Sequence, residues 1–210
     1  MSIKKNPAFT RTDVEILSQE PLLSSYLKVE KLQVKFKLFG GGWSQVFTRE
    51  RMKREDAVAV LLYHVASDQV VLVEQLRMGV LDVSDKSPWI IEPVAGVIEA
   101  GDTPEKTAHK EALEEAGCTI TKLISIGTYI VSPGISTELT MVFCGLIDQL
   151  PLDNSNHGLQ ADGEDIRLHV ISSTAAFGLL RLDNPMSASA TILLQWLELN
   201  HDRLKRKSFD

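Results

Sequence analysis

The segment Gly96–Cys118, GVIEAGDTPEKTAHKEALEEAGC, constrains this chain more than any other. Gly96 and Gly101 make a tight loop, and the signals of a helix start follow at once. Asp102 stands as an N-cap, Pro104 falls in the first turn where its missing N–H costs nothing, and Glu105 completes a capping box with Asp102. Gly117 supplies the left-handed residue that ends such a helix. Glu111, Glu114 and Glu115 lie three and four residues apart, on neighbouring parts of one face. Like charges so placed repel by roughly 0.2–0.5 kcal/mol per pair on an exposed helix. A solvated face tolerates that repulsion. A hard divalent cation reverses it, because magnesium takes carboxylate oxygens and water as ligands.

The rest of the chain reads mostly as strands. Val29–Leu38 alternates from Leu32 on, with Leu32, Val34, Phe36 and Leu38 on one face. Gly40–Gly42 turns it, and Trp43–Arg51 returns as its partner. Ala57–His64 and Gln69–Arg77 are apolar strands joined at Ser67–Asp68, and Trp89–Glu92 is a short one. Ile120–Val131 and Leu139–Ile147 follow, separated by the Ser132–Gly134 turn, and then Ile166–Ile171. Asp148–Gly163 is a polar loop long enough to carry function. Thr174–Arg181 and Ser187–His201 are helical, the second with an apolar stripe through Ile192, Leu193, Trp196, Leu197 and Leu199. The basic end Arg203–Lys207 reads as a solvated tail, and residues 1–20 as polar and mixed. Trp43, Trp89 and Trp196 read as packing residues. Residues 1–56 form a β-rich N-terminal element and residues 57–210 the main domain. A lone hairpin is marginal in water, so the N-terminal pair must pack on something.

Charge narrows the function. The net charge of −6 argues against a general nucleic-acid binder. Residues 1–56 hold 11 Lys/Arg against 7 Asp/Glu, and residues 57–210 hold 11 against 21. A basic portion beside an acidic one suits a metal-dependent enzyme acting on an anion. No apolar run approaches the ~20 residues that span a bilayer, and no secretory signal is expected. Cys118 and Cys144 lack disulfide or metal spacing and are expected to be buried thiols. A cytoplasmic location is expected.

The Gly96–Cys118 stretch resembles the Nudix box: Gly, five residues, Glu, seven residues, then Arg-Glu-aliphatic-any-Glu-Glu-any-Gly-aliphatic. Gly96, Glu111, Glu114, Glu115 and Gly117 match in register over 23 residues. Asp102, Lys110, Ala112 and Cys118 depart from it, and Lys110 lacks the planar fork of Arg. Ser132–Glu138, with Pro133 placed 15 residues after Cys118, is similar to the proline segment of the ADP-ribose pyrophosphatase branch. The Arg49-Glu50 pair, Glu74–Arg77, Gly163–Ile166 and Ile192–Leu197 also resemble that branch.

The resemblance implies an α/β fold: an α/β/α sandwich with a mixed sheet, plus a small N-terminal antiparallel β element. It implies hydrolysis of ADP-ribose to AMP and ribose 5-phosphate with magnesium, or alternatively manganese. It also implies a homodimer built through the N-terminal strands. Glu111 and Glu115 are the main expected metal ligands, with Glu114, Glu164 and the backbone carbonyl of Ala95. Glu164 or Asp162 is the expected general base. For substrate, Arg49 and Arg51 share one strand face and would meet phosphates or base. Arg77 would reach the substrate or make a structural ion pair. Glu138 and Gly134 lie on the proline loop, with Glu138 suited to ribose hydroxyls. Tyr26 would stack on adenine or belong to the core. Two other readings stand beside this one: cleavage of another nucleoside diphosphate sugar such as GDP-mannose, and a non-catalytic ADP-ribose-binding module. The mark of the last would be a lost metal-binding glutamate, and both Glu111 and Glu115 are present.

Overall fold

Two adjacent strands, β4 (Ala57–His64) and β5 (Gln69–Leu76), are apolar in succession because both of their faces are covered. The computed structural model describes residues 9–83, 86–158, 163–184 and 186–206. Its contacts separate two units. The smaller comprises the chain up to Arg54 with Ser132–Glu138, and the larger comprises Glu55–Val131 with the chain from Leu139 onward.

The larger unit is built on one mixed sheet. Its further strands are β6 (Trp89–Glu92), β7 (Val94–Val97), β8 (Ile120–Ile130), β9 (Leu139–Ile147), β10 (Asn156–His157) and β11 (Ile166–Ser172). The order is β10-β11-β5-β4-β9-β8, with β6 on β5 and β7 on β4. Among the described residues, only the β4–β9 pairing in this sheet is parallel. Its helices are α1 (Pro104–Ala116), α2 (Ser173–Leu179) and α3 (Ala188–Arg206). Alternation along β4 and β5 sends Val58, Val60, Leu62, Val71 and Val73 to one face, where Ala108, Ala112 and Ala116 let α1 approach closely. Ala59, Leu61, Tyr63, Val70 and Leu72 face the other way, onto Ala176 of α2 and Leu193, Leu194, Leu197 and Leu204 of α3. This is the α/β/α sandwich expected above. Cys118 and Cys144 are buried free thiols, raised by burial to about 11 and about 12.

In the smaller unit, β1 (Val14–Ser24), β2 (Lys28–Phe36) and β3 (Phe47–Lys53) form an antiparallel sheet in that order. β1 gives no two-residue alternation to read. Only Val14 and Ser18 are half-buried, and two register shifts interrupt its pairing with β2. The return strand starts later than Trp43, which makes only an isolated bridge to Lys37. Gly41 and Gly42 both have positive φ and fold the chain so that Ser44 bonds back to Phe36, and regular pairing resumes with Phe47 opposite Val34. Trp43 and Trp89 are exposed rather than packed, and Lys35 lies 5.0 Å from the Trp43 ring centre.

Of the basic C-terminal stretch, Arg203–Arg206 is not a free tail, and Lys207 lies outside the described residues. Leu204 repeats Leu197 at two helical turns, so α3 runs on to Arg206 with Leu204 buried, while Leu199 points to solvent. The helix is fastened at Asp68, which occupies the β4–β5 turn at φ 57°. Its carboxylate accepts from His201 Nε2 at 2.6 Å, Tyr63 OH at 2.8 Å and Lys205 Nζ at 3.0 Å. Burial opposes ionisation there, but the hydrogen bonds from His201, Ser173, Lys205 and Tyr63 outweigh it and hold the Asp68 carboxyl well below the usual range. Ser173 Oγ shares the same His201 nitrogen at 3.1 Å, so the cluster is an anchor and not a relay through the imidazole. Because the folded value lies below the unfolded one, this stabilisation is present above about pH 4 and is lost on acidification. Asp68→Ala is expected to cost about 2 kcal/mol, read by thermal melting at neutral pH as a fall of roughly 4–8 °C in Tm.

Candidate active site

The helix that carries the glutamates begins one residue later than its capping box suggests. Thr103, held extended (φ −94°, ψ 155°) by the proline after it, is the N-cap, and its side chain accepts from Lys106 N–H at 3.2 Å. Asp102 pairs instead with the Lys106 ammonium one turn on. Gly117 (φ 62°) closes the other end as a left-handed cap, donating to Ala112 and Leu113 carbonyls.

Between these caps, α1 turns its glutamates toward β7. Glu115 is only 4% exposed, and its Oε2 accepts the Ala95 N–H at 3.0 Å. Glu111 fills the space over Gly96 so closely that a Cβ on that glycine would lie 2.2 Å from its carboxyl carbon. Here the lack of a side chain at residue 96 is a packing requirement. Burial pushes Glu111 up to about 7, with the Glu114 and Glu164 charges adding to it and Lys110 opposing. Burial likewise pushes Glu115 up to about 8, against the Ala95 hydrogen bond and the Arg77 charge, with Glu111 and Glu164 raising it further. Lys110, at the box's Arg position, reaches Glu99 of the loop at 2.8 Å.

Arg77 leaves the end of β5 and donates from Nε to the buried Glu92 at 2.5 Å. It is therefore a member of an ion pair, and its charge is also felt at Glu115. Glu164 lies half-buried just before β11. The larger unit thus brings together Glu111, Glu114, Glu115, Glu164, Arg77 and the Ala95 backbone. Asp162 lies outside the described residues.

Among the described residues no three His, Cys, Asp or Glu side chains already converge as metal ligands. The donor set nevertheless fits a hard divalent cation. It is all oxygen, burial holds its two glutamates back from ionising, and Gly96 leaves the room that the Glu111 carboxylate occupies. Electrostatics points the same way, since a cation would bring both raised carboxyls back to their ionised form.

The remaining expected residues belong to the smaller unit. Arg49 is exposed, with its guanidinium 5.0 Å from the Phe47 ring and NH1 donating to Thr48 carbonyl. Arg51 donates to Glu30 at 2.8 Å, while its buried Nε has no hydrogen-bond partner. Tyr26 is 86% exposed, which removes it from the core. Arg54 lies over its ring at 5.6 Å and reaches Glu138 at 3.5 Å. Arg54 was not singled out from the sequence, although it closes the same basic run as Arg49 and Arg51. Gly134, in the turn closed by Ile135 N–H to Ser132 carbonyl, has open space around it and no positive φ.

A model of the NUDIX domain matches residues 53–186. The chain belongs to the NUDIX family. This NUDIX chain is 35% identical over 199 residues to the ADP-ribose pyrophosphatase of Escherichia coli (strain K12), covering 95% of this chain and 94% of that one. It is 37% identical over 203 residues to the ADP-ribose pyrophosphatase of Haemophilus influenzae, covering 94% and 92%. A GDP-mannose pyrophosphatase of Escherichia coli is more distant, 28% identical over 153 residues that cover 73% and 78%. A solved structure of an ADP compounds hydrolase superposes with a TM-score of 0.65 at 20% identity, covering 89% of this chain and 95% of that one. At that identity the superposition speaks for the NUDIX fold alone.

The raised carboxyls set a pH dependence. Glu115 titrates at about 8 in the folded chain against 4.5 for the free side chain, so the folded state holds this proton more tightly. Without a cation, the contribution of Glu115 to stability is full below about pH 4.5 and is lost as pH rises toward 8. At pH 8 in chelator, Glu115→Gln is expected to melt several degrees above the parent, and at pH 5 the gap should largely close. Added magnesium should raise the parent's Tm and leave the variant's unchanged. Differential scanning calorimetry across pH checks both.

Proposed function

We propose that this NUDIX protein hydrolyses the pyrophosphate bond of ADP-ribose, releasing AMP and ribose 5-phosphate, with magnesium or alternatively manganese as its cation. The observation that carries the reading is the pair of half-buried Glu111 and buried Glu115 packed onto Gly96 and Ala95 of β7, within reach of the Glu164 charge. The near-full-length similarity to ADP-ribose pyrophosphatases supports the choice of substrate.

Glu111 and Glu115, with Glu114, Glu164 and the Ala95 carbonyl, would hold the cation. When bound, the ion supplies positive charge against the diphosphate oxygens and makes water a stronger nucleophile. Glu164 or Asp162 takes the proton from that water as it attacks phosphorus, and the departing phosphate leaves as an anion that needs little protonation near neutral pH. Arg77, oriented by Glu92, binds the diphosphate. In the smaller unit, Arg49 and Arg51 bind phosphate or base, Glu138 accepts from ribose hydroxyls, Tyr26 stacks on adenine, and Gly134 leaves room beside them.

The protein acts as a cytoplasmic homodimer through its N-terminal β element, residues 1–56, with residues 57–210 as the catalytic domain. Support for the dimer comes from Leu17, Leu22 and Leu23 on β1, which are 51%, 49% and 45% exposed, and from Phe39 at 90%. So much exposed apolar surface on the edge strand β1 and in the turn after β2 calls for a covering partner. No described helix is long and apolar enough to cross a membrane.

A panel of ADP-ribose, ADP-glucose, GDP-mannose and a dinucleoside polyphosphate, with products identified by chromatography, tests the substrate. ADP-ribose is expected to be preferred and to yield AMP. Preference for GDP-mannose would move the assignment to that substrate, and binding of ADP-ribose without turnover would indicate a binding module. Glu115→Gln should lower kcat by roughly 10³-fold or more with the fold intact. Arg49→Ala should raise KM about tenfold, the value of one charge-assisted contact, and sedimentation should show a dimer for both variants.

A further inference from the structure

The short strand β10 and the start of β11 lie side by side, with Asn156 opposite Arg167 and His157 opposite Ile166. The chain therefore leaves the sheet at Gly158 and returns to it through Glu164 and Asp165 at nearly the same place. Gly158 has φ 96°, and a Cβ there would sit 2.8 Å from Glu164 Cβ and 3.3 Å from its carbonyl group. Real Cβ atoms do not approach one another that closely. The backbone of residue 158 is thus the wall against which the Glu164 side chain is set.

On the other side of Gly158, the His157 ring abuts the end of α1. Its Cε1 lies 3.3 Å from where a Cβ on Gly117 would be, and Gly117 caps the helix two residues beyond Glu115. The ring is fixed in orientation. The Ser155 hydroxyl donates its proton to Leu152 carbonyl at 2.6 Å, so the 3.0 Å contact between Ser155 Oγ and His157 Nε2 is made by the imidazole N–H. A continuous run of contacts joins the α1 cap to His157, Gly158 and Glu164. The Glu164 charge is felt at both Glu111 and Glu115.

We propose that Gly158 and His157 are positioning residues for the reaction: Gly158 by having no side chain, and His157 by resting on the Gly117 cap, together fix where Glu164 stands relative to the α1 glutamates. Resting on the role given to Glu164 above, this explains why a glycine and a histidine outside the box hold their places beside it. Neither touches substrate, and both act through Glu164.

The test is a double-mutant cycle in the full-length protein. Displacing a catalytic group by about 1 Å costs up to ~100-fold in rate. Gly158→Ala should accordingly lower kcat on ADP-ribose by about 10–100-fold, with KM within about twofold. Its Tm should fall, because an L side chain at φ 96° is strained, and its affinity for manganese, titrated by electron paramagnetic resonance without substrate, should weaken. In the Glu164→Gln background, Gly158→Ala should add no further loss, because the group it displaces is already gone. His157→Ala should behave alike with a smaller loss, and it carries the same cycle should Gly158→Ala fail to fold. Full activity of Gly158→Ala and His157→Ala beside an impaired Glu164→Gln overturns the positioning role alone. Losses that multiply in the double variants also overturn it. A fully active Glu164→Gln withdraws the catalytic role of Glu164, and the positioning role with it.

Discussion

Packing of two glutamates, one buried and one half-buried, against Ala95 and the bare Gly96 of β7 is the constraint on which the larger unit depends. Glu111 occupies the volume a Cβ at residue 96 would need, and Glu115 takes the N–H of Ala95. An apolar pair at these positions would stabilise the fold by simple burial. Acidic residues there impose an electrostatic penalty, visible in carboxyls raised to about 7 and about 8. Such a penalty persists when the site gains from it elsewhere, and a cation that needs carboxylate oxygens is the gain that fits.

The surroundings keep that arrangement from relaxing. Ala108, Ala112 and Ala116 seat α1 on β4 and β5 without bulk, so the helix cannot rise from the sheet without opening the core. Thr103 and Gly117 fix its two ends. Behind the sheet, Asp68 draws Tyr63, His201 and Lys205 to one turn and holds α3 over the opposite face. Rigid packing on both faces leaves the glutamates with a choice of proton or cation, not with a choice of position.

What the chain disclosed before folding follows from physical scale. Strands β4, β6 and β9 were legible to the residue because each is apolar and bounded by turn residues. The glutamate face of α1 was legible from spacing alone. β1 was not, because an exposed strand with two register shifts has no periodicity to detect. The cap at Thr103 was missed because Asp102 is the stronger capper in isolation, and the proline's effect on its predecessor decided the matter. Asp68, His201 and Lys205 lie up to 137 residues apart and meet only in the folded state. The Gly158–Glu164 contact is of the same kind, since a glycine in a polar loop looks like punctuation until its neighbour is known. Arg54 was hidden by its position at the strand's end, where alternation gives no face.

The departures from the box can be understood by what the altered residues touch. An arginine could grip a carboxylate through two parallel hydrogen bonds, whereas Lys110 makes one contact to Glu99, a loop residue that is largely exposed. One contact suffices there, because the loop needs only a tether between Glu99 and the helix and the glutamate geometry is set from below by Gly96 and Ala95. Asp102, a methylene shorter than glutamate, turns to Lys106 within the first turn of α1, where a negative charge also meets the positive end of the helix dipole. These two fall on the loop side of the helix, while the other two departures, Ala112 and Cys118, pack in the core beside it. The buried side, where Glu111 and Glu115 meet β7, leaves no room for a comparable change: Gly96 has no volume to give, and every atom lost from either carboxylate is lost from the site itself.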